Sequence, residues 1–273
     1  MTPTELVRRP SAAASSGLAA VLASEADKLR SWPAARWLTG LALLLAAAGS
    51  AAFVASAPVT VGTEVGLLAE RDRLTISLLG LDLANLTMIV VAVLAVSAEA
   101  SSGQLALTLQ ATPRRTVVFT AKVVVLSGLA ALVSALATAL ALGAGQLALL
   151  AHGVSLPGLA STQALRLVLV TALMIPLHVA FAAALAFCFR SAGVALTGVF
   201  VIMCLPSLAR LLPDGLGSSA QWLLPAPSLH TLAGASLPGD LDYTAPWAAA
   251  VVLVGWVVLL LGVALRTFRR RDF

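Results

Sequence analysis

Six stretches of this chain are long and apolar enough to cross a lipid bilayer, and that feature limits the fold more than any motif does. A spanning helix needs about 20 mostly apolar residues. Residues 37–57, 78–98, 123–150, 165–189, 192–212 and 245–265 meet the condition. Residues 37–57, 123–150 and 245–265 hold no charged residue, and the other three hold one each, Asp82, Arg166 and Arg210. In hydrocarbon, backbone N–H and C=O groups must be paired within the protein, so a span is either a helix or a strand of a closed barrel. Barrel strands alternate over about ten residues. These runs are instead continuous in Ala, Leu and Val. The expected fold is all-α: a polytopic membrane protein with six transmembrane helices. Residues 1–36 form an N-terminal tail, 37–265 the transmembrane domain and 266–273 a basic C-terminal tail.

Composition excludes a water-soluble alternative. Soluble domains are about one quarter charged, whereas 11% of these residues are, and 60% are hydrophobic. Mean hydropathy is +0.99. The net charge of +5 raises the question of nucleic acid, but the basic residues sit at the ends of apolar runs, where they set topology. No nucleic-acid partner is expected.

Six spans leave both termini on one side. That side holds Arg8, Arg9, Lys28, Arg30, Arg36, Arg114, Arg115, Lys122, Arg190, Arg266, Arg269, Arg270 and Arg271. The other holds only Arg71, Arg73, Arg166 and Arg210. Cytoplasmic loops carry the excess of Lys and Arg, so both termini and the segment between spans two and three are expected in the cytoplasm. The N-terminal RRPSAAASSGLAAVLASEA has the outline of a signal peptide, but its apolar run is short and weak. It is read instead as a cytoplasmic helix along the membrane surface. Ser24 would cap it, Glu25 and Asp27 fall in its first turn, and Lys28 and Arg30 come later. Pro33 would bend the chain into span one. On the far side, residues 213–244 hold Pro225, Pro227, Pro238, Gly234 and Gly239 and read as a lid or re-entrant turn, with Trp222 at interface depth.

Chemistry is sparse. A P-loop needs Gly-Lys followed by Ser or Thr. The chain's two lysines, Lys28 and Lys122, follow Asp27 and Ala121, so any ATP is bound by another chain. No His-Glu-x-x-His occurs. His152 and His230 fall on outer loops and His178 inside span four, so no shared metal site is expected. Cys188 and Cys204 lie in apolar runs and read as packing residues. His178 follows Pro176, which breaks the helical hydrogen-bond ladder. Its imidazole either bonds a freed carbonyl or lines a substrate path. Asp82 and Asn85 share a helix face. Asp82 precedes Glu99 by about 25 Å of helix at 1.5 Å per residue, placing it near the outer surface. It either reaches outer water or faces a cavity. No nucleophile, base and acid converge, so the chain is not expected to be an enzyme.

The most informative segment is residues 97–122, SAEASSGQLALTLQATPRRTVVFTAK. Ser101, Ser102 and Gly103 break the chain direction after Glu99. Gln104 to Gln110 can form a short helix with Leu105 and Leu109 on one face, ended near Pro113. Arg114, Arg115 and Lys122 then lead into span three at the anionic inner leaflet.

Glu99, Ser102, Gly103, Thr108, Pro113, Arg114, Arg115 and Lys122 in this order resemble the membrane subunits of type-2 ABC exporters, and most closely the bacterial members with about six spans. Ser24 and Glu25 with Lys28 and Arg30 look like the family's N-terminal cytoplasmic helix, and Arg270-Arg271-Asp272 like its basic C-terminal end. Ala100 and Ser101 stand where family members often carry an aromatic and a base. The resemblance implies a permease in a bacterial plasma membrane. It would pair with a second permease subunit, identical or not, and with two separate ATPase subunits that bind ATP and Mg. The chain itself would bind no cofactor. The loop after span two would be a cytoplasmic coupling helix, Glu99 a structural or coupling carboxylate, and Arg114 and Arg115 anchors or motor contacts. The cargo would be an amphipathic drug, lipid-like molecule or peptide moving outward, past Asp82, Asn85 and His178. The alternative is a motor-independent membrane scaffold or immunity protein.

Overall fold

The computed structural model describes residues 17–60, 62–155, 158–189, 191–213, 216–236, 238–240 and 243–270. Among these every regular element is helical. Six helical segments are long and apolar enough to cross a membrane, which makes this a multi-pass membrane protein.

Helix α1 (Leu18–Ser31) precedes the first spanning helix, α2 (Pro33–Thr60). Between them Trp32 is extended, with φ −80° and ψ 109°. A residue preceding proline is pushed out of the α region, so the bend falls on Trp32 and Pro33 opens α2. The start of α1 differs from expectation. Gly17 occupies the N-cap and Ser24 lies mid-helix, because the helix-forming run Leu18–Ala23 carries the helix back beyond it. Glu25 and Asp27 are therefore central rather than in the first turn.

Helices α3 (Glu70–Leu78) and α4 (Gly80–Ser101) form the second spanning segment. Gly80 marks the closest approach of α4 to α2. Its N–H donates to Ser50 Oγ at 3.2 Å, and a Cβ there would overlap the Ala46 carbonyl oxygen and lie 2.6 Å from Ser50 N. The short helix α5 (Gln104–Ala111) follows, and then α6 (Arg115–Ala151). The 37 residues of α6 span about 55 Å at 1.5 Å each, well beyond the ~30 Å of hydrocarbon. It begins eight residues before the expected start because Val118 and Phe119 continue its buried face.

The fourth span is two helices, α7 (Thr162–Ala172) and α8 (Met174–Cys188), with the break at Leu173. Pro176 cannot donate to the carbonyl of Ala172, four residues back. Ser134 Oγ, from α6, donates to that carbonyl at 2.5 Å. The neighbouring helix thus supplies the missing donor, and His178 does not. Ser191 caps α9 (Ala192–Ala209), its Oγ accepting from Val194 N–H, which closes the hairpin after α8.

Two short helices follow, α10 (Leu216–Gln221) and α11 (Pro225–Ala233). Pro225 opens α11, and Gly234 at φ 73° ends it. With nine residues α11 cannot cross a bilayer. It packs against α7 and the last span, α12 (Pro246–Arg270). Trp222 is half exposed beside it. The last span runs five residues past its expected end, so most of the anticipated tail is helix. Phe268 causes this: it is fully buried between Phe119 and Phe187, at centroid distances of 6.2 and 5.1 Å. Arg8, Arg9, Arg190, Arg271 and Asp272 lie outside the described residues.

The interior is rich in small residues, with Ala42, Ala46, Ala84, Ala130, Ala137, Ala141, Ala182 and Ala183 buried where helices meet. Large apolar side chains such as Leu44, Leu132, Leu136, Phe200, Val254 and Val258 face outward. Small residues at contacts let helices approach closely in lipid, where burial of apolar surface supplies no driving force.

Candidate functional site

Among the described residues, the buried charged side chains lie at one end of the bundle, where α1, α5 and the adjoining ends of α4 and α6 meet. Glu25 of α1, Glu99 of α4 and Lys122 of α6 are all buried, and Lys28 of α1 is partly so. Lys122 Nζ lies 2.6 Å from Glu25 Oε2 and 2.7 Å from Glu99 Oε1. Lys28 Nζ lies 2.5 Å from Glu25 Oε1 and 3.6 Å from Glu99 Oε1. It also donates to Thr108 Oγ1 of α5, 80 residues away, at 3.3 Å. Two carboxylates and two ammonium groups therefore close a ring of zero net charge.

Isolated buried charge is prohibitively unfavourable, and pairing with good geometry makes it tolerable. The ring satisfies that condition for Glu25 and Lys122, while Glu99 Oε2 has no hydrogen-bond partner. Both lysines of the chain are in it, and every other basic residue is arginine. An ammonium is a compact charge whose three donors can serve several carboxylates, where the planar guanidinium favours one bidentate partner. The ring thus links α1, α4, α5 and α6 through side chains alone.

The structure joins two groups of residues that the sequence treated separately: Glu25 and Lys28 of the first helix, and Glu99, Thr108 and Lys122 of the loop. The others in the pattern stand around them. Gly103 has φ 75°, the left-handed conformation that turns the chain from α4 into α5. Ser102 Oγ donates to the Glu99 carbonyl at 3.5 Å. Leu105 is buried and Leu109 partly buried on one face of α5, while Leu107 is exposed on the other. Pro113 and Arg114 are exposed before α6. Arg115 reaches the carbonyls of Phe268 and Arg269, at 3.3 and 3.2 Å, so it holds the C-terminal end of α12, where a cation is favoured. Arg30 is exposed on α1 and stands outside the ring. A groove of about 420 Å³ runs between α1 and α5, lined by Val21, Ser24, Glu25, Leu107, Thr108 and Ala111 among others.

A second polar region lies at the opposite end. Asp82 and His178 line one cavity of about 410 Å³, roofed by α11 with His230. Asn85 does not join them. It is fully buried in α4, with neither amide atom partnered. Arg166 donates to the carbonyls of Leu232 and Thr231, at 2.6 and 3.0 Å, and Arg71 to that of Ala235. Trp256 Nε1 donates to the Leu223 carbonyl at 2.7 Å. These bonds clamp α11 onto the bundle. Cys188 and Cys204 form no disulfide, and among the described residues no group of three or more His, Cys, Asp or Glu is placed to hold a metal ion.

No protein-family model matches the sequence, and no curated protein is significantly similar to it. The functional reading therefore stands on the residues and their geometry.

Proposed function

We propose that the chain is the permease subunit of an ATP-driven type-2 ABC exporter in a bacterial plasma membrane. The observation that carries this reading is the buried ring of Glu25, Lys28, Glu99 and Lys122 at the ends of α4 and α6, to which the short helix α5 is tied by the Lys28–Thr108 hydrogen bond. A transport subunit without its own nucleotide site needs a rigid element that receives force from outside the lipid. In this reading α5 is that element, a cytoplasmic coupling helix. Its buried leucine face rests on the bundle and its exposed face, with Leu107, meets the motor.

Displacing α5 pulls on Thr108 and through it on Lys28. Glu99 and Lys122 pass the displacement into the spanning helices, because parting them would expose unpaired charge to a low-dielectric interior. ATP and Mg belong to the partner ATPase. A second permease subunit, identical or not, completes the pathway, and an amphipathic cargo moves outward. The excess of Lys and Arg around α1, α5 and the end of α12 supports a cytoplasmic position for this end.

The test is co-purification from native membranes with a C-terminal tag in mild detergent. A near-stoichiometric P-loop ATPase is the expected result. Its absence, under conditions that keep a known transporter complex whole, favours the motor-independent scaffold or immunity protein instead.

A further inference from the structure

We infer that the cavity beneath α11 is a binding site for an amphipathic organic cation. The site has the size of a small-molecule pocket, about 410 Å³, and its walls include Leu78, Val170, Met174 and Leu229. Its carboxylates are accompanied by neutral hydroxyls and by two histidines, His178 and His230. Asp82 and Asp240 line it, and among the described residues no lysine or arginine does. The two nearby arginines, Arg71 and Arg166, are engaged with carbonyl groups at the end of α11. Asp82 forms no ion pair with Lys or Arg among the described residues, although it sits on a membrane-spanning helix.

A second observation points to a ligand independently. His178 lines the same cavity, is 4% exposed, and its Nδ1 makes no hydrogen bond of ordinary geometry, although the Met174 backbone one turn earlier is close enough to interact with the imidazole. Buried polar atoms are rarely left without a partner. The remaining titratable wall group is His230, on the α11 roof, close enough to Asp82 to interact with it electrostatically. A carboxylate at the rim, an unsatisfied imidazole inside and apolar walls between them complement a ligand with one cationic head and a greasy body. An anion would meet the Asp82 carboxylate with no lysine or arginine on the wall to offset it, so the site is expected to discriminate by sign.

As the identity of the exported cargo, this inference rests on the permease reading; as a binding site it does not. The experiment therefore uses the purified full chain without any ATPase. Tetraphenylphosphonium and its isosteric anion tetraphenylborate are measured by equilibrium dialysis against a detergent-only blank. The expected result is saturable cation binding, at least tenfold tighter than anion binding. Asp82→Asn should weaken cation binding at least tenfold and leave the anion unchanged. Ala226→Phe, which fills the cavity from its roof, should abolish cation binding, and it decides the matter should Asp82→Asn fail to fold. Equal affinity for both ions, no saturable binding above the blank, or cation binding indifferent to both variants overturns the site. An ATPase that co-purifies with a chain unable to bind the cation removes the cargo class and leaves the permease reading standing.

Discussion

Replacing Lys122 with methionine tests the charge ring most sharply. The side chains are close in length, so packing is largely kept and one positive charge is lost. Lys122 is 4% exposed and holds Glu25 and Glu99 at 2.6 and 2.7 Å. Removing one partner of a buried ion pair costs about 3–5 kcal/mol, because it leaves the other charge uncompensated. Lys28 remains 2.5 Å from Glu25 and 3.6 Å from Glu99, and its side chain is 31% exposed. It offers Glu99 only partial compensation, so Lys122→Met should cost about 3 kcal/mol, at the lower end of that range. Adding Glu99→Gln removes the surplus negative charge and leaves a neutral Glu25–Lys28 pair. The double variant should then be more stable than Lys122→Met alone, with a coupling energy of about 2 kcal/mol in the cycle. The assay is loss of helical circular dichroism against denaturing-detergent fraction, for wild type, both single variants and the double. Single variants that each cost under about 1 kcal/mol and add without coupling would refute the argument that these charges are buried and mutually dependent.

Three further outcomes follow from local geometry. Gly80→Val should destabilise by about 3 kcal/mol or more, because the new side chain meets the backbone of α2 at Ala46 and Ser50; an unfolding midpoint near wild type would show that α2 and α4 stand further apart. Ser134→Ala should lower stability by about 1–3 kcal/mol by leaving the Ala172 carbonyl without its donor, and an unchanged midpoint would mean that Pro176 is accommodated without α6. Gly103→Ala, strained by φ 75° although nothing crowds its Cβ, should cost about 1 kcal/mol. In the permease reading it also reduces ATPase stimulation in the assembled complex, and full stimulation would detach the α4–α5 turn from coupling.

Much of the architecture was legible in the chain because hydrocarbon demands long uncharged runs, and those can be counted. Helix ends were less so, since packing decides them: Phe119 and Phe268 meet beyond the apolar runs and extend α6 and α12 past the expected limits. Local rules missed partners supplied by other helices. The carbonyl released by Pro176 is satisfied by Ser134, 38 residues away, rather than by nearby His178. Ser24 resembles a cap only if the alanines before it are ignored. The candidate site was legible as two fragments, a Glu-led loop and a charged first helix. Their meeting could not be read from spacing, because Lys28 and Thr108 stand 80 residues apart. One signal was present: in a chain that otherwise uses arginine, both lysines fall in those two fragments.

The most direct test of the account is site-specific photocrosslinking in native membranes. A photoreactive phenylalanine analogue replaces Leu107, 64% exposed on α5, or Leu67, 79% exposed at the opposite end. The account predicts that the probe at 107 captures a P-loop ATPase and the probe at 67 does not. No ATPase capture from 107, or equal capture from both positions, would contradict the claim that α5 is where a motor takes hold.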